Sequence, residues 1–166
     1  VTTTTISKEQ YEYAAQQVKQ NGLEDKITLL FKDYRDLEGQ YDKLVSIEMI
    51  EAVGHEYFSS FFSKCSSLLK ENGKLLIQAI TISDQRYKKS IKSVDFIQRY
   101  IFPGGCLPSN EVISQKVSSC TDMQIVDVHD ITHDYSRTLA DWRTAFFERI
   151  DQVRAQGYDE TFIRMW

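Results

Sequence analysis

Apolar positions in this 166-residue chain alternate between helical spacing and short continuous runs, a pattern that predicts an α/β fold. Val1 to Thr5 reads as the end of a strand. Ser7-Lys-Glu-Gln10 then has the spacing of a capping box, and Tyr11, Ala14, Ala15 and Val18 recur at helical intervals until Asn21-Gly22 stops the helix. Ile27 to Phe31 reads as a short apolar strand, and Lys43 to Met49 as a short buried one. From His55 to Glu71, Phe58, Phe61, Phe62, Cys65, Leu68 and Leu69 fall on one helical face, closed by Asn72-Gly73. That aromatic stripe is read as core packing rather than cofactor contact. Lys74 to Ile82 is the most apolar strand.

Beyond it the pattern changes. Ser83 to Ser93 is polar and basic, and a helix follows through Phe96, Ile97, Tyr100 and Ile101. Pro103-Gly104-Gly105 breaks that helix, and Pro108 closes a rigid turn. Ser109 to Cys120 is weakly helical, and Met123 to Ile131 reads as a strand. Thr138-Leu-Ala-Asp141 caps an amphipathic helix through Leu139, Trp142, Phe146, Ile150 and Val153, and Asp159 to Trp166 reads as a further helix. No repeat, low-complexity tract or linker interrupts the chain, which is read as a single-domain fragment over 1–166.

The run Lys43 to Met49 ends abruptly in Glu48 and Glu51. In open α/β sheets the crevice beyond the carboxyl ends of the strands is where ligands bind. The plainer alternative is that both acids are solvated, or favour the positive end of a helix dipole. A balance of 20 basic against 24 acidic residues, net −4, argues against general nucleic-acid binding. Cys65, Cys106 and Cys120 are odd in number and lack metal-ligand spacing, which points to reduced thiols in a cytosolic protein and no metal site. No run approaches the roughly 18 apolar residues of a membrane span.

Five segments carry a resemblance: Thr5-Ile-Ser-Lys-Glu-Gln10, Asp33-Tyr-Arg-Asp36, Ser46-Ile-Glu-Met-Ile-Glu51-Ala-Val-Gly54, Tyr100-Ile-Phe-Pro-Gly-Gly-Cys-Leu-Pro-Ser109 and His133-Asp-Tyr-Ser-Arg-Thr-Leu139. In this order and at these spacings the chain resembles the cyclopropane-fatty-acyl-phospholipid synthase family, which includes the mycolic acid cyclopropane synthases. The resemblance implies a class I methyltransferase (Rossmann-like) sheet with flanking helices. It also implies S-adenosylmethionine as cofactor, with methylene transfer to a cis double bond of a phospholipid acyl chain. Such chemistry needs close alignment of a weak nucleophile, stabilisation of a transient cation, a base and exclusion of water.

Residue by residue, the resemblance implies that Glu51 holds a bicarbonate ion acting as base, with Tyr135 facing the same place. Ile80 contributes a backbone carbonyl, and Phe102 offers its ring to the developing cation. Gln78 departs from the pattern, standing where better-known members carry a bicarbonate-binding histidine. A glutamine amide donates hydrogen bonds but does not titrate, so it can hold an anion but cannot relay a proton. Thr5, Ile6, Ser7 and Gln10 match a segment contacting the cofactor's nucleoside, and Tyr34 and Arg35 a pair beside its adenine. Without the resemblance these residues read more simply. Glu51 caps a helix, Tyr135 is buried with its hydroxyl satisfied, Phe102 anchors a core, and Gln78 and the Ser7–Gln10 pair serve local structure.

A lipid substrate implies peripheral contact with the inner membrane surface, and Arg86, Lys88, Lys89 and Lys92 form a local basic cluster that serves either this or a solvated face. Two alternatives share the fold: a methyltransferase for another lipid or small molecule, and a non-catalytic degenerate module. None of the seven glycines forms the family's glycine-rich loop, whose strand belongs mid-sheet, and the family's bicarbonate-binding cysteine has no positional match. The expectation is therefore an incomplete sheet from a longer enzyme, with unpaired edges that invite self-association. These 166 residues alone are expected to bind S-adenosylmethionine weakly or not at all. Calorimetric titration checks this, and measurable heat of binding at ordinary concentrations refutes it.

Overall fold

Two parallel strand pairs organise Val1–Gln124, the first of two compact units in a computed structural model that describes every residue from Val1 to Trp166. β1 (Thr2–Thr5) pairs with β2 (Thr28–Phe31), Thr2 opposite Thr28 and Thr5 opposite Phe31. β3 (Tyr41–Ile47) pairs with β4 (Leu69–Gln78), Lys43 opposite Lys74 and Ile47 opposite Gln78. Parallel neighbours need a crossover. α1 (Lys8–Gln20) supplies it for the first pair and α2 (Phe58–Ser67) for the second. The two pairs form separate two-stranded sheets, so the sheet is incomplete in the manner expected.

Local chemistry explains the element ends. The Ser7 hydroxyl caps α1 by accepting the Gln10 N–H at 3.2 Å. The box is not reciprocal, because the Ser7 N–H donates to Thr5 Oγ1 (3.1 Å) and Thr5 Oγ1 donates to Gln10 Oε1 (2.7 Å). Asn21 closes the helix, and Gly22 at φ +61° takes the left-handed turn that side chains disfavour. Asn72-Gly73 does not end the next helix. α2 stops at Ser67, and Asn72, at φ +62°, lies inside β4 where the ladder shifts register opposite Tyr41 and Lys43.

The aromatic stripe forms the core, as its spacing indicates. Phe58, Phe61, Phe62 and Cys65 of α2 are buried against Leu44, Leu75 and Ile77 of the strands and against Val112, Ile113 and Val117 of a later helix. Phe61 and Phe62 meet edge to face at 5.2 Å. Burial pushes the Cys65 thiol up to about 12 and raises that of Cys106. The Cys120 thiol is lowered, chiefly by the Ser119 hydroxyl. β3, read from its sequence as buried, and its partner β4 are covered on one face only. Val45 (63%), Ile47 (53%) and Leu76 (55%) stay exposed on the other, because helix α2 packs on a single side of the pair.

Beyond β4 come α3 (Asp84–Ser90), α4 (Phe96–Tyr100) and α5 (Asn110–Cys120). A full capping box between Asp95 and Gln98 starts α4. The second unit, Ile125–Trp166, holds α6 (Thr132–Glu148), α7 (Ile150–Ala155) and α8 (Glu160–Met165). Its first helix begins at Thr132 rather than Thr138 and is interrupted at Arg149. The strand expected over Met123 to Ile131 is absent, since no neighbouring strand pairs with it and Val126 and Val128 lie exposed. Phe62→Ala is expected to cost about 3–5 kcal/mol, the usual loss for emptying a fully buried phenylalanine site, measured as a lowered urea midpoint at constant slope.

Candidate active site

Past the last β3–β4 ladder pair the two chains remain joined. The Glu48 N–H donates to the Gln78 carbonyl at 2.8 Å, and Gln78 Nε2 donates to Glu48 Oε1 at 3.0 Å. Glu48 holds φ +48°, a left-handed backbone uncommon for a residue of this type. The chain then enters a tight 3-10 turn over Ile50–Ala52, with Ile50 wholly buried beneath it. Glu51 on this turn accepts the Ile80 N–H through Oε1 at 2.6 Å. Its other oxygen, Oε2, is buried without a hydrogen-bond partner. Leaving a buried carboxylate oxygen unsatisfied is costly, so this atom is an acceptor open to a donor.

The Tyr100 to Ser109 block docks on this corner. The Cys106 N–H donates to the Glu51 carbonyl at 2.7 Å, and the Ile82 N–H donates to the Pro108 carbonyl at 2.9 Å. Pro108 and Ser109 are fully buried, and the Ser109 hydroxyl caps α5. Asp84 accepts the Glu111 N–H at 2.9 Å, which lowers its carboxyl below the ordinary range. Glu51, Ile80 and Gln78 are thus gathered at the carboxyl ends of β3 and β4, with Glu48 beside them. Ile80 reaches Glu51 through its N–H. Phe102 is 62% exposed, which excludes the core-anchor reading. Tyr135 belongs to the second unit, half-buried on α6 with its ring edge-to-face to Trp142 at 6.4 Å.

The cofactor candidates lie at the ends of β1 and β2. Thr5, Ser7 and Gln10 form the hydroxyl–amide network already described, with Ile6 exposed between them. After β2, Asp33 caps a 3-10 turn over Tyr34–Asp36 and takes the Arg35 guanidinium in two hydrogen bonds of 2.9 and 2.7 Å. That pairing holds the Asp33 carboxyl at about 2 and raises Arg35. The Tyr34 ring meets Phe61 of the core edge-on at 5.7 Å, and burial raises its phenol. The hollow between β1, β2 and α1 measures about 190 Å³, smaller than the roughly 300 Å³ at which ligand pockets begin. The Thr5 and Ser7 hydroxyls and the Gln10 amide stand past β1, and the Tyr34 ring past β2, groups whose chemistry suits a nucleoside. They form one wall for it rather than an enclosure.

In the sequence alone Glu48 is a charge at a strand edge, with nothing to place it in the site. Its partner Gln78 lies 30 residues away. The signal that links them is register: each follows or ends one of two adjacent parallel strands.

The family model for mycolic acid cyclopropane synthetase matches residues 1–166. The chain belongs to that family. It is 40% identical over 162 residues to tuberculostearic acid methyltransferase UfaA1 of Mycobacterium tuberculosis, spanning 98% of this chain and 38% of that protein. It is 37% identical over 163 residues to cyclopropane-fatty-acyl-phospholipid synthase of Escherichia coli, spanning 98% and 40%. Among solved structures, mycolic acid cyclopropane synthase CmaA1 complexed with SAH and CTAB superposes with a TM-score of 0.86 at 27% identity, over 99% of this chain and 60% of that one. The fold is accordingly the class I methyltransferase fold. The chain spans about two fifths of the length of these curated relatives.

The Asp33–Arg35 pair sets a pH expectation. A carboxyl depressed to about 2 adds stability above its unfolded value near 4 and loses it as pH falls through 2. Arg35→Ala is expected to return the Asp33 midpoint toward about 4, read by carbon NMR of the carboxyl. A midpoint that stays near 2 in the variant means that the pair does not set it.

Proposed function

We propose that the protein containing this chain transfers a one-carbon unit from S-adenosylmethionine to the cis double bond of an unsaturated phospholipid acyl chain, closing a cyclopropane ring. Val1–Trp166 is read as the C-terminal part of its methyltransferase domain. The observation that carries the proposal is Glu51, with one oxygen fixed by a backbone N–H and the other buried and unsatisfied. That acceptor sits where an α/β sheet places its ligands. When bound, S-adenosylmethionine supplies an electrophilic methyl group.

The chain's own residues do the rest. Thr5, Ser7 and Gln10 meet the nucleoside hydroxyls, and Tyr34 and Arg35 flank the adenine. Glu51 Oε2 accepts from a hydrogen-bond donor in the site. Ile80 keeps the Glu51 carboxylate aimed. Phe102 offers its ring to the positive charge, and the family resemblance implies the same of Tyr135. Support for peripheral membrane contact comes from Arg86, Lys88, Lys89 and Lys92. All four are exposed on or just past α3, and none is paired with an acid. No helix is long and apolar enough to cross a membrane.

A second reading is methyl transfer to an acyl chain without ring closure. It is favoured by the 40% identity to a relative named as a methyltransferase, by the 33% identity to a probable fatty acid methyltransferase of Pseudomonas putida, and by Gln78, which cannot relay a proton. Proton NMR of lipid from cells expressing the full-length protein separates the two, since a ring methylene resonates far upfield of a branch methyl. Under either reading, Glu51→Gln is expected to lower turnover by roughly 10²–10⁴-fold with S-adenosylmethionine affinity retained. Turnover equal to that of the wild type removes Glu51 from the chemistry.

A further inference from the structure

We propose that Glu48, held by Gln78, is the base of the ring-closing step and stands in for a bound bicarbonate ion; this rests on the acyl-chain reading above. Glu48 is tied to Gln78 twice, side chain to side chain at 3.0 Å and backbone to backbone at 2.8 Å. It keeps this position at φ +48°, and strained backbone of that kind concentrates where ligands are held. Glu51 follows three residues later with a buried, unsatisfied oxygen. Ile80, which fixes the other Glu51 oxygen, lies two residues past Gln78, so at most about 7 Å of chain separates the two anchors.

The exit of β4 therefore holds two carboxylates at one corner. Such a corner attracts a cation and repels an anion. Bicarbonate would bring a third acid group to it. Gln78 bears on the same choice, because an uncharged amide engaged with Glu48 has no positive charge to offer an anion, whereas a protonated histidine has. A carboxylate presents about four acceptor directions, so holding hydrogen bonds does not stop it from taking a proton.

The step balances without redox change. By then the alkene has taken the methyl group of S-adenosylmethionine, leaving positive charge on the neighbouring carbon and S-adenosylhomocysteine as the other product. One C–H bond of the new methyl breaks, and its electron pair forms the last C–C bond of the ring. The proton passes to a Glu48 carboxylate oxygen and then to solvent. Glu48 touches the reacting atoms, and Gln78 is a positioning residue that acts through it.

The test uses the full-length protein on unsaturated phospholipid vesicles, in buffer freed of carbon dioxide and with bicarbonate restored. Calorimetry with S-adenosylhomocysteine reports whether each variant keeps its site. Wild-type turnover is expected to be insensitive to bicarbonate. Glu48→Gln is expected to lose roughly 10²-fold or more in turnover with unchanged S-adenosylhomocysteine affinity. Glu48→Gly, which relieves the left-handed backbone and opens space, should regain turnover on adding formate or bicarbonate. Gln78→Ala should lower kcat while KM holds, the signature of a lost positioning contact rather than lost binding. The proposal fails if the wild type stops without bicarbonate, if Glu48→Gln turns over like the wild type, or if that variant loses S-adenosylhomocysteine affinity. A wild type that modifies no acyl chain overturns the parent reading, and this one with it.

Discussion

The parallel pairing of β3 with β4 is the constraint on which the rest of the candidate site depends. Ladder bonds place Ile47 opposite Gln78, and the Glu48–Gln78 bonds carry the pairing one step further. From that point the two chains diverge, one into the turn bearing Glu51 and one toward Ile80. The Glu51–Ile80 bond joins them again. Neither carboxylate is positioned by loop packing alone. Each is fixed to the opposite strand's exit, and the precision of the corner is inherited from the register of the sheet.

That register is maintained from below. α2 buries Phe58, Phe61 and Phe62 under the inner face of the pair, and α5 backs α2 from the far side. The turn between α4 and α5 is tied to Glu51 and Ile82 through backbone hydrogen bonds, so it moves with the corner rather than over it. Tyr34 brings its ring to the edge of Phe61, which links the end of β2 to the same core. Packing and site therefore share residues, and a substitution in the aromatic stripe would be felt at the strand exits.

Much of this was legible in the sequence because the relevant signals are local. The aromatic stripe has helical spacing, the cap at Ser7 precedes its helix, and the strand-to-acid junction at Glu48–Glu51 is abrupt. The legible part stops where structure depends on partners distant in sequence. Met123 to Ile131 has the composition of a strand but no neighbour to pair with, and composition cannot report that. Asn72-Gly73 looked like a helix stop because its left-handed turn is the same feature whether it follows a helix or interrupts a ladder. The Glu48–Gln78 pair needed the register of two strands before it could be seen. The role proposed for Glu51 rests on a motif, and its geometry is visible only in the fold.

The unequal treatment of the three thiols has a practical side. Cys65 and Cys106 lie within packed surroundings whose low polarity keeps them protonated, while Cys120 sits half-buried at the end of α5 beside a hydroxyl that favours its thiolate. Oxidants and alkylating dyes react with thiolates that they can reach. Of the three thiols, Cys120 is therefore the one where a spectroscopic label could be attached or where air oxidation would first cross-link two molecules.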